Sequence, residues 1–159
     1  MIQKIYVSNG VVRSMDGHGM RGVNVLGLTV RIKGYEGAYD CGYITYGNFI
    51  MRLIKEAYGD VCHEMFQRSL FSGKPFTDLD EIEWAKHQND DLEIWIWHSD
   101  CDGKFTPKEC RRIYNAIKDL EIPDFYAHNY GDMKPYNMLE RWKDMFLYCA
   151  KHRVNMYFT

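Results

Sequence analysis

The sequence predicts one α+β domain, a mixed sheet covered by four to five helices packed mainly on one face. Three observations carry that prediction. The chain has 159 residues, enough for one domain with a real core. Its first part is rich in β-formers broken by Gly-containing turns, and its remainder is dominated by segments of helical period. The order that results is β-rich first, then α, α, β, α, α, β, with no repeat, low-complexity tract or linker. Residues 1–159 therefore read as a single domain, with residues 1–35 as its β-rich start.

Asn9-Gly10 separates two runs of β-formers, "KIYVS" and "VVRSM", and predicts a two-residue hairpin. "DGHGMRG", Asp16 to Gly22, is a glycine loop. No helix pattern follows it directly, so it is a poor phosphate cradle. Val23 to Ile32, "VNVLGLTVRI", reads as a strand, and "AYDCGYI" as a second, shorter one.

Thr45 is placed as the N-cap of a helix from about Gly47 to Tyr58, with Gly59 positioned to end it. "DVCHEMFQRSLFSGKPF" holds a short helix and then a Gly-Pro loop. Thr77 caps the next helix, whose first turn carries acids suited to the helix dipole. "NDD" is expected to break it. "LEIWIW", Leu92 to Trp97, is apolar at nearly every position and is expected as a central strand.

Pro107 to Leu120 reads as a helix, with Cys110, Ile113, Ile117 and Leu120 on its inner face. "EIPDFYAHNYGDMKP" is a long aromatic loop. A helix over about Tyr136 to Lys151 buries Leu139, Trp142, Phe146 and Cys149, and "VNMYF" is a closing strand.

Composition narrows the function classes. Aromatics reach 15%, too many for a disordered chain. The formal charge of -2 supplies no basic field, so nucleic acid is not an expected partner. No apolar run approaches the ~18 residues of a membrane span, and "MIQKIYVSNG" lacks the apolar core of a signal peptide. Five scattered cysteines with no CxxC fit reduced thiols. The expected location is the cytoplasm, with no membrane partner.

The densest chemistry is "HSDCDGKFTPKE", His98 to Glu109. Numbered as a calcium loop, it puts His98 at position 1, Asp100 at 3, Asp102 at 5, Gly103 at 6, Phe105 at 8 and Glu109 at 12. Acids at 3, 5 and 12 with Gly at 6 match a loop that aims oxygens at a hard cation. Calcium or another divalent metal held by His98, Asp100, Asp102 and Glu109 is therefore one reading. His at position 1 suits zinc better, with Cys101 at HxxC spacing and His63 or Cys62 as a distant ligand. A second reading is a metal-dependent hydrolase, with His98, Asp100 and Asp102 joined by acids such as Asp40, Asp90 or Asp91.

The third reading is local structure. Thr106-Pro107-Lys108-Glu109 is a capping box with Pro at N1, and Asp102-Gly103 is a turn pair. That leaves His98, Asp100 and Cys101 without a structural explanation.

Two aromatic segments are candidate contact surfaces. "YDCGYITYG", Tyr39 to Gly47, contributes Tyr43 and Tyr46 either as a pocket wall or as hairpin edge and core packing. "DFYAHNYGDMKPYN" contributes Tyr126, His128 and Tyr130. They suit a binding protein whose partner is a host protein or a small-molecule ligand such as a nucleotide.

Three motifs together resemble a family of small proteins from bacteriophage and bacterial genomes: "TYGNF" (Thr45 to Phe49), "HSDCDGKFTPKEC", and "RWKDMFLYCAKHRVNMYF". The resemblance spans roughly residues 40–159; the first 35 residues look particular to this sequence. It implies an intracellular, phage-encoded accessory protein acting by binding, to modulate a host factor or to counter host defence. It implies no reaction.

Overall fold

A computed structural model describes residues 27–36, 39–128 and 134–159. The expected Asn9-Gly10 hairpin, the "DGHGMRG" loop and Tyr130 lie outside the described residues.

The α+β class holds. In chain order the elements are β1 (Gly27–Ile32), β2 (Tyr39–Gly42), α1 (Tyr43–Tyr58), α2 (Asp60–Ser72), α3 (Asp78–Ala85), α4 (Asp90–Ile96), β3 (Lys104–Phe105), α5 (Pro107–Ile117), β4 (Tyr126–Ala127), β5 (Tyr136–Asn137), α6 (Met138–His152) and β6 (Met156–Phe158). One sheet has the order β2-β1-β6-β3, and β4 pairs with β5 in a second. Every described pairing is antiparallel, where a mixed sheet was expected.

The reason for that difference is "LEIWIW". It is not a strand but most of α4, which raises the described helices to six. "NDD" does not break a helix here; it starts one. The Asn89 side chain accepts from the Asp91 and Leu92 amides, and Asp90, Asp91 and Glu93 fill the positive first turn. Leu92, Trp95 and Ile96 are buried, a spacing of three and four that fits a helix and not a pleat. With no central strand from this segment, no parallel crossover forms.

Helix α1 also starts earlier than expected. Gly42 is its N-cap and makes no side-chain cap, while Thr45 lies inside the helix. Strand β2 runs directly into α1, so the chain has no room for a separate capping turn. Gly59 ends α1 as expected. At φ +91 it turns the backbone where a side chain would be strained, and its N–H bonds to the Lys55 carbonyl. Asp60 then begins α2 at once.

The other two expected threonine caps form. Thr77 and Asp80 make a capping box on α3, and Thr106 and Glu109 make one on α5. Each supplies acceptors to amides that a helix start leaves unpaired.

The sheet's inner face presents Leu28, Val30, Phe105, Met156 and Phe158, all buried. An aromatic core lies among the helices. The Trp95 and Trp142 ring centroids are 5.0 Å apart, and Phe146 lies 4.9 Å from Trp95 and 5.5 Å from Trp142. Buried polar tips are satisfied: the Trp95 indole donates to the Tyr46 hydroxyl at 3.0 Å. No helix among the described residues is long and apolar enough to cross a membrane.

Candidate functional site

The 98–109 loop folds as a turn and a cap. Glu109 Oε2 accepts from the Thr106 amide at 2.8 Å and from its hydroxyl at 3.1 Å, and the Thr106 Oγ1 accepts from the Glu109 amide. The carboxylate is thus engaged in holding the start of α5. His98 packs at a tilt against core rings rather than reaching out. Its ring centroid lies 4.2 Å from Phe105 and 4.7 Å from Phe158, and Nδ1 donates to the Ser99 carbonyl at 2.6 Å.

Asp100 is fully buried, whereas Asp102 is exposed. Gly103 sits at φ +93, the left-handed turn that a dense loop requires. So His98, Asp100, Asp102 and Glu109 are close in sequence but are not brought together as one ligand set. Among the described residues, no group of three or more His, Cys, Asp or Glu is placed to hold a metal ion.

Of the distant residues considered for zinc or for hydrolysis, Cys62 and Asp91 are engaged elsewhere. Burial first, then Glu83 and Glu93, push the Cys62 thiol up to about 11, which places it among α2, α3 and α4. Asp91 accepts from Arg112 at 2.6 Å.

The tyrosine segments divide. Tyr46 is buried against Trp142 and Trp95 and offers no surface. Tyr43 is half-buried. Burial, then the nearby Asp100 and Cys101, hold its phenol above the ordinary range. Tyr126 and His128 are exposed, on and just beyond β4. Tyr39 is wholly internal, donating to Met138 Sδ at 3.1 Å or to Cys41 Sγ at 3.2 Å.

Two surfaces were not foreseen. One is the outer side of α2 and α3. Four of the large apolar side chains exposed among the described residues lie there: Val61, Phe71, Leu79 and Ile82. The signal was present in "TDLDEIEW", where Leu79 and Ile82 share a face and the inward position is Trp84. The other is a cleft of about 590 Å³ on the outer face of the sheet, lined by Arg31, Gly103, Lys104, Tyr157, Phe158 and Thr159. Its residues come from three strands far apart in sequence, so only the register reveals it.

Behind α3, Glu93 of α4 collects aromatic donors. Oε1 accepts from the Trp84 indole at 2.8 Å, and Oε2 accepts from the Trp97 indole at 3.0 Å. The Tyr58 hydroxyl stands 3.2 Å from Oε2. Phe76 completes the surrounding ring cluster, with centroids 5.2 Å from Trp84 and 5.8 Å from Trp97.

No family model, curated protein or solved structure matches this chain.

Proposed function

We propose that this protein acts by binding, and that it docks a basic amphipathic segment of a partner protein on the outer side of α2 and α3. One observation carries the reading: large apolar side chains stand exposed on a preformed helix pair, with carboxylates beside them. Leu79 is 78% exposed, Ile82 60% and Phe71 75%. Trp84 on the opposite side of α3 is fully buried and bonded to Glu93, so α3 cannot roll to hide Leu79 and Ile82.

The Arg68–Asp80 ion pair at 2.6 Å ties α2 to α3. Preformed geometry of this kind lowers the ordering cost of binding. A lone exposed Leu is ordinary, but a group of large apolar residues on one helix pair marks a contact surface. Asp78 and Glu81 flank Leu79 and Ile82 in sequence and add acidic side chains to α3. Exposed apolar residues with acids next to them in the chain complement a helix that carries leucines and lysines. A second copy would set acid against acid. The accessory, host-directed role belongs to the same proposal and rests on the three quoted motifs.

The probe is a synthetic amphipathic helix of leucine and lysine, with the same peptide carrying glutamate for lysine as its control. The lysine peptide should bind saturably. The double variant Leu79→Asp, Ile82→Asp should lose about tenfold in affinity with unchanged melting, since about 1.4 kcal/mol corresponds to tenfold. Equal binding of both peptides, or an unaffected double variant, overturns the proposal. A concentration-dependent dimer abolished by those substitutions would assign the surface to a second copy instead.

A further inference from the structure

Strand β6 lies between β1 and β3, and its register aligns three outward residues in one row. Arg31 of β1 is opposite Tyr157, and Lys104 of β3 is opposite Tyr157 from the other side. The residues before and after them along the strands face the core: Val30, Met156, Phe158 and Phe105 are buried. Arg31 and Lys104 are exposed, and the Tyr157 ring is 46% exposed. All three line the 590 Å³ cleft.

We propose that this row binds a mononucleotide, with its base stacked on Tyr157 and its phosphate held by Arg31 and Lys104. The proposal goes beyond the docking surface above and does not depend on it.

Three features argue for that ligand class. First, the row sets an open ring beside cations, which suits a molecule that is flat and aromatic at one end and anionic at the other. Neighbouring strands are about 4.8 Å apart, so each cation stands one strand spacing from the ring. Second, the ring is held in place. The Asn155 side-chain amide donates to the Tyr157 hydroxyl at 3.0 Å, which fixes the phenol along the strand. A fixed ring loses little freedom when a base stacks on it, and stacking on tyrosine is indifferent to which base is offered.

Third, the strands that carry the row are tied together at the cleft: the Gly103 carbonyl accepts from the Phe158 amide at 3.0 Å, which joins β3 to β6. Arginine pairs with phosphate oxygens through a planar fork, and lysine adds a point charge. One ring can stack one base, which favours a free nucleotide over a strand.

The test is NMR titration of the full chain with AMP, and separately with adenosine, pyrophosphate and an adenine tetranucleotide. AMP should shift the amides around positions 31, 104 and 157 and bind more tightly than adenosine or pyrophosphate. Tyr157→Ser should weaken AMP at least about fivefold, the low end of what one base stack contributes, and leave pyrophosphate unchanged. Tyr157→Phe should keep AMP affinity within about twofold, because the ring and not the hydroxyl does the stacking. The double variant Arg31→Gln, Lys104→Gln should weaken AMP and pyrophosphate together.

No shift at these positions with AMP overturns the proposal. So does a Tyr157→Phe loss as large as that of Tyr157→Ser. Tetranucleotide affinity tenfold or more above that of AMP would overturn the free nucleotide and assign the row to a strand.

Discussion

The Trp84 indole N–H donates to Glu93 Oε1 over 2.8 Å, joining α3 to α4 through a carboxylate that also receives the Trp97 indole at 3.0 Å. The bond explains why the loop from Lys86 to Asn89 can be short and polar. The two helices are held by side chains behind it, within a cluster of Trp84, Trp97, Phe66 and Phe76. A carboxylate has acceptors on both oxygens and needs no proton to satisfy two indoles.

Glu93→Gln is therefore expected to destabilise the fold by about 2–3 kcal/mol, the range for losing hydrogen bonds to a charged acceptor. The amide keeps one acceptor and turns an N–H toward a donor. Urea unfolding followed by tryptophan fluorescence reads this directly; a loss under about 0.5 kcal/mol would mean that Glu93 does not hold the two helices together.

The acid limb of stability should depend on Asp80. Burial pushes this carboxyl up, but the Thr77 amide and the Arg68 guanidinium outweigh it and hold it below the usual carboxylate range. The folded state therefore binds its proton later than the unfolded chain does. The contribution is complete above the unfolded value of about 3.9 and is lost as the pH falls through the lower folded value. Asp80→Asn should lower stability at neutral pH and flatten the melting temperature's dependence on pH below about 4. A wild-type curve as flat as that of the variant would remove Asp80 from the acid limb.

Two glycines should respond to alanine with opposite signs. At Gly103 the backbone sits at φ +93, and a methyl group would stand 3.2 Å from His98 Nε2. Gly103→Ala should cost about 1–3 kcal/mol. Gly47 lies inside α1 with open space where a methyl group would go. Gly47→Ala should stabilise by about 0.5–1 kcal/mol. Thermal melts of the two variants give both signs at once.

The thiols should separate into one and four. Cys41, Cys62, Cys110 and Cys149 are buried, and Cys101 is half-buried. Only the thiolate reacts, and burial disfavours it. Ellman's reagent should modify one thiol quickly in native protein and the other four only on unfolding. Cys101→Ser should remove the fast phase; a fast phase that survives would place the exposed thiol elsewhere.

The parts legible in the sequence are those specified locally. Thr77 and Thr106 as caps, Gly59 as a terminator, the stripe Cys110–Ile113–Ile117 and the strand within "VNMYF" each depend on a few adjacent residues. "LEIWIW" was misread because apolar residues at nearly every position carry no period. The deciding signal was the polar triplet before it, which caps a helix as readily as it breaks one. Tyr46 could be read as pocket wall or as core, because the partner that decides for the core, the Trp95 indole, is 49 residues away. The Arg31–Tyr157–Lys104 row was hidden for the same reason: each residue is plain in its own strand, and only pairing across the sheet assembles them.

Strand pairing over such distances also sets how the molecule can reach its folded state. Thr29 and Thr159 exchange backbone hydrogen bonds of 3.2 and 2.9 Å across 130 residues. Joining positions that far apart costs more chain entropy than closing any one helix, so β1 and β6 gain little by meeting early. The helices between them shorten that search, since α5 and α6 follow one another closely in sequence and can pack first. The route to the native state then runs from helix pairing to sheet closure, and the Tyr157 row comes into being at its last step.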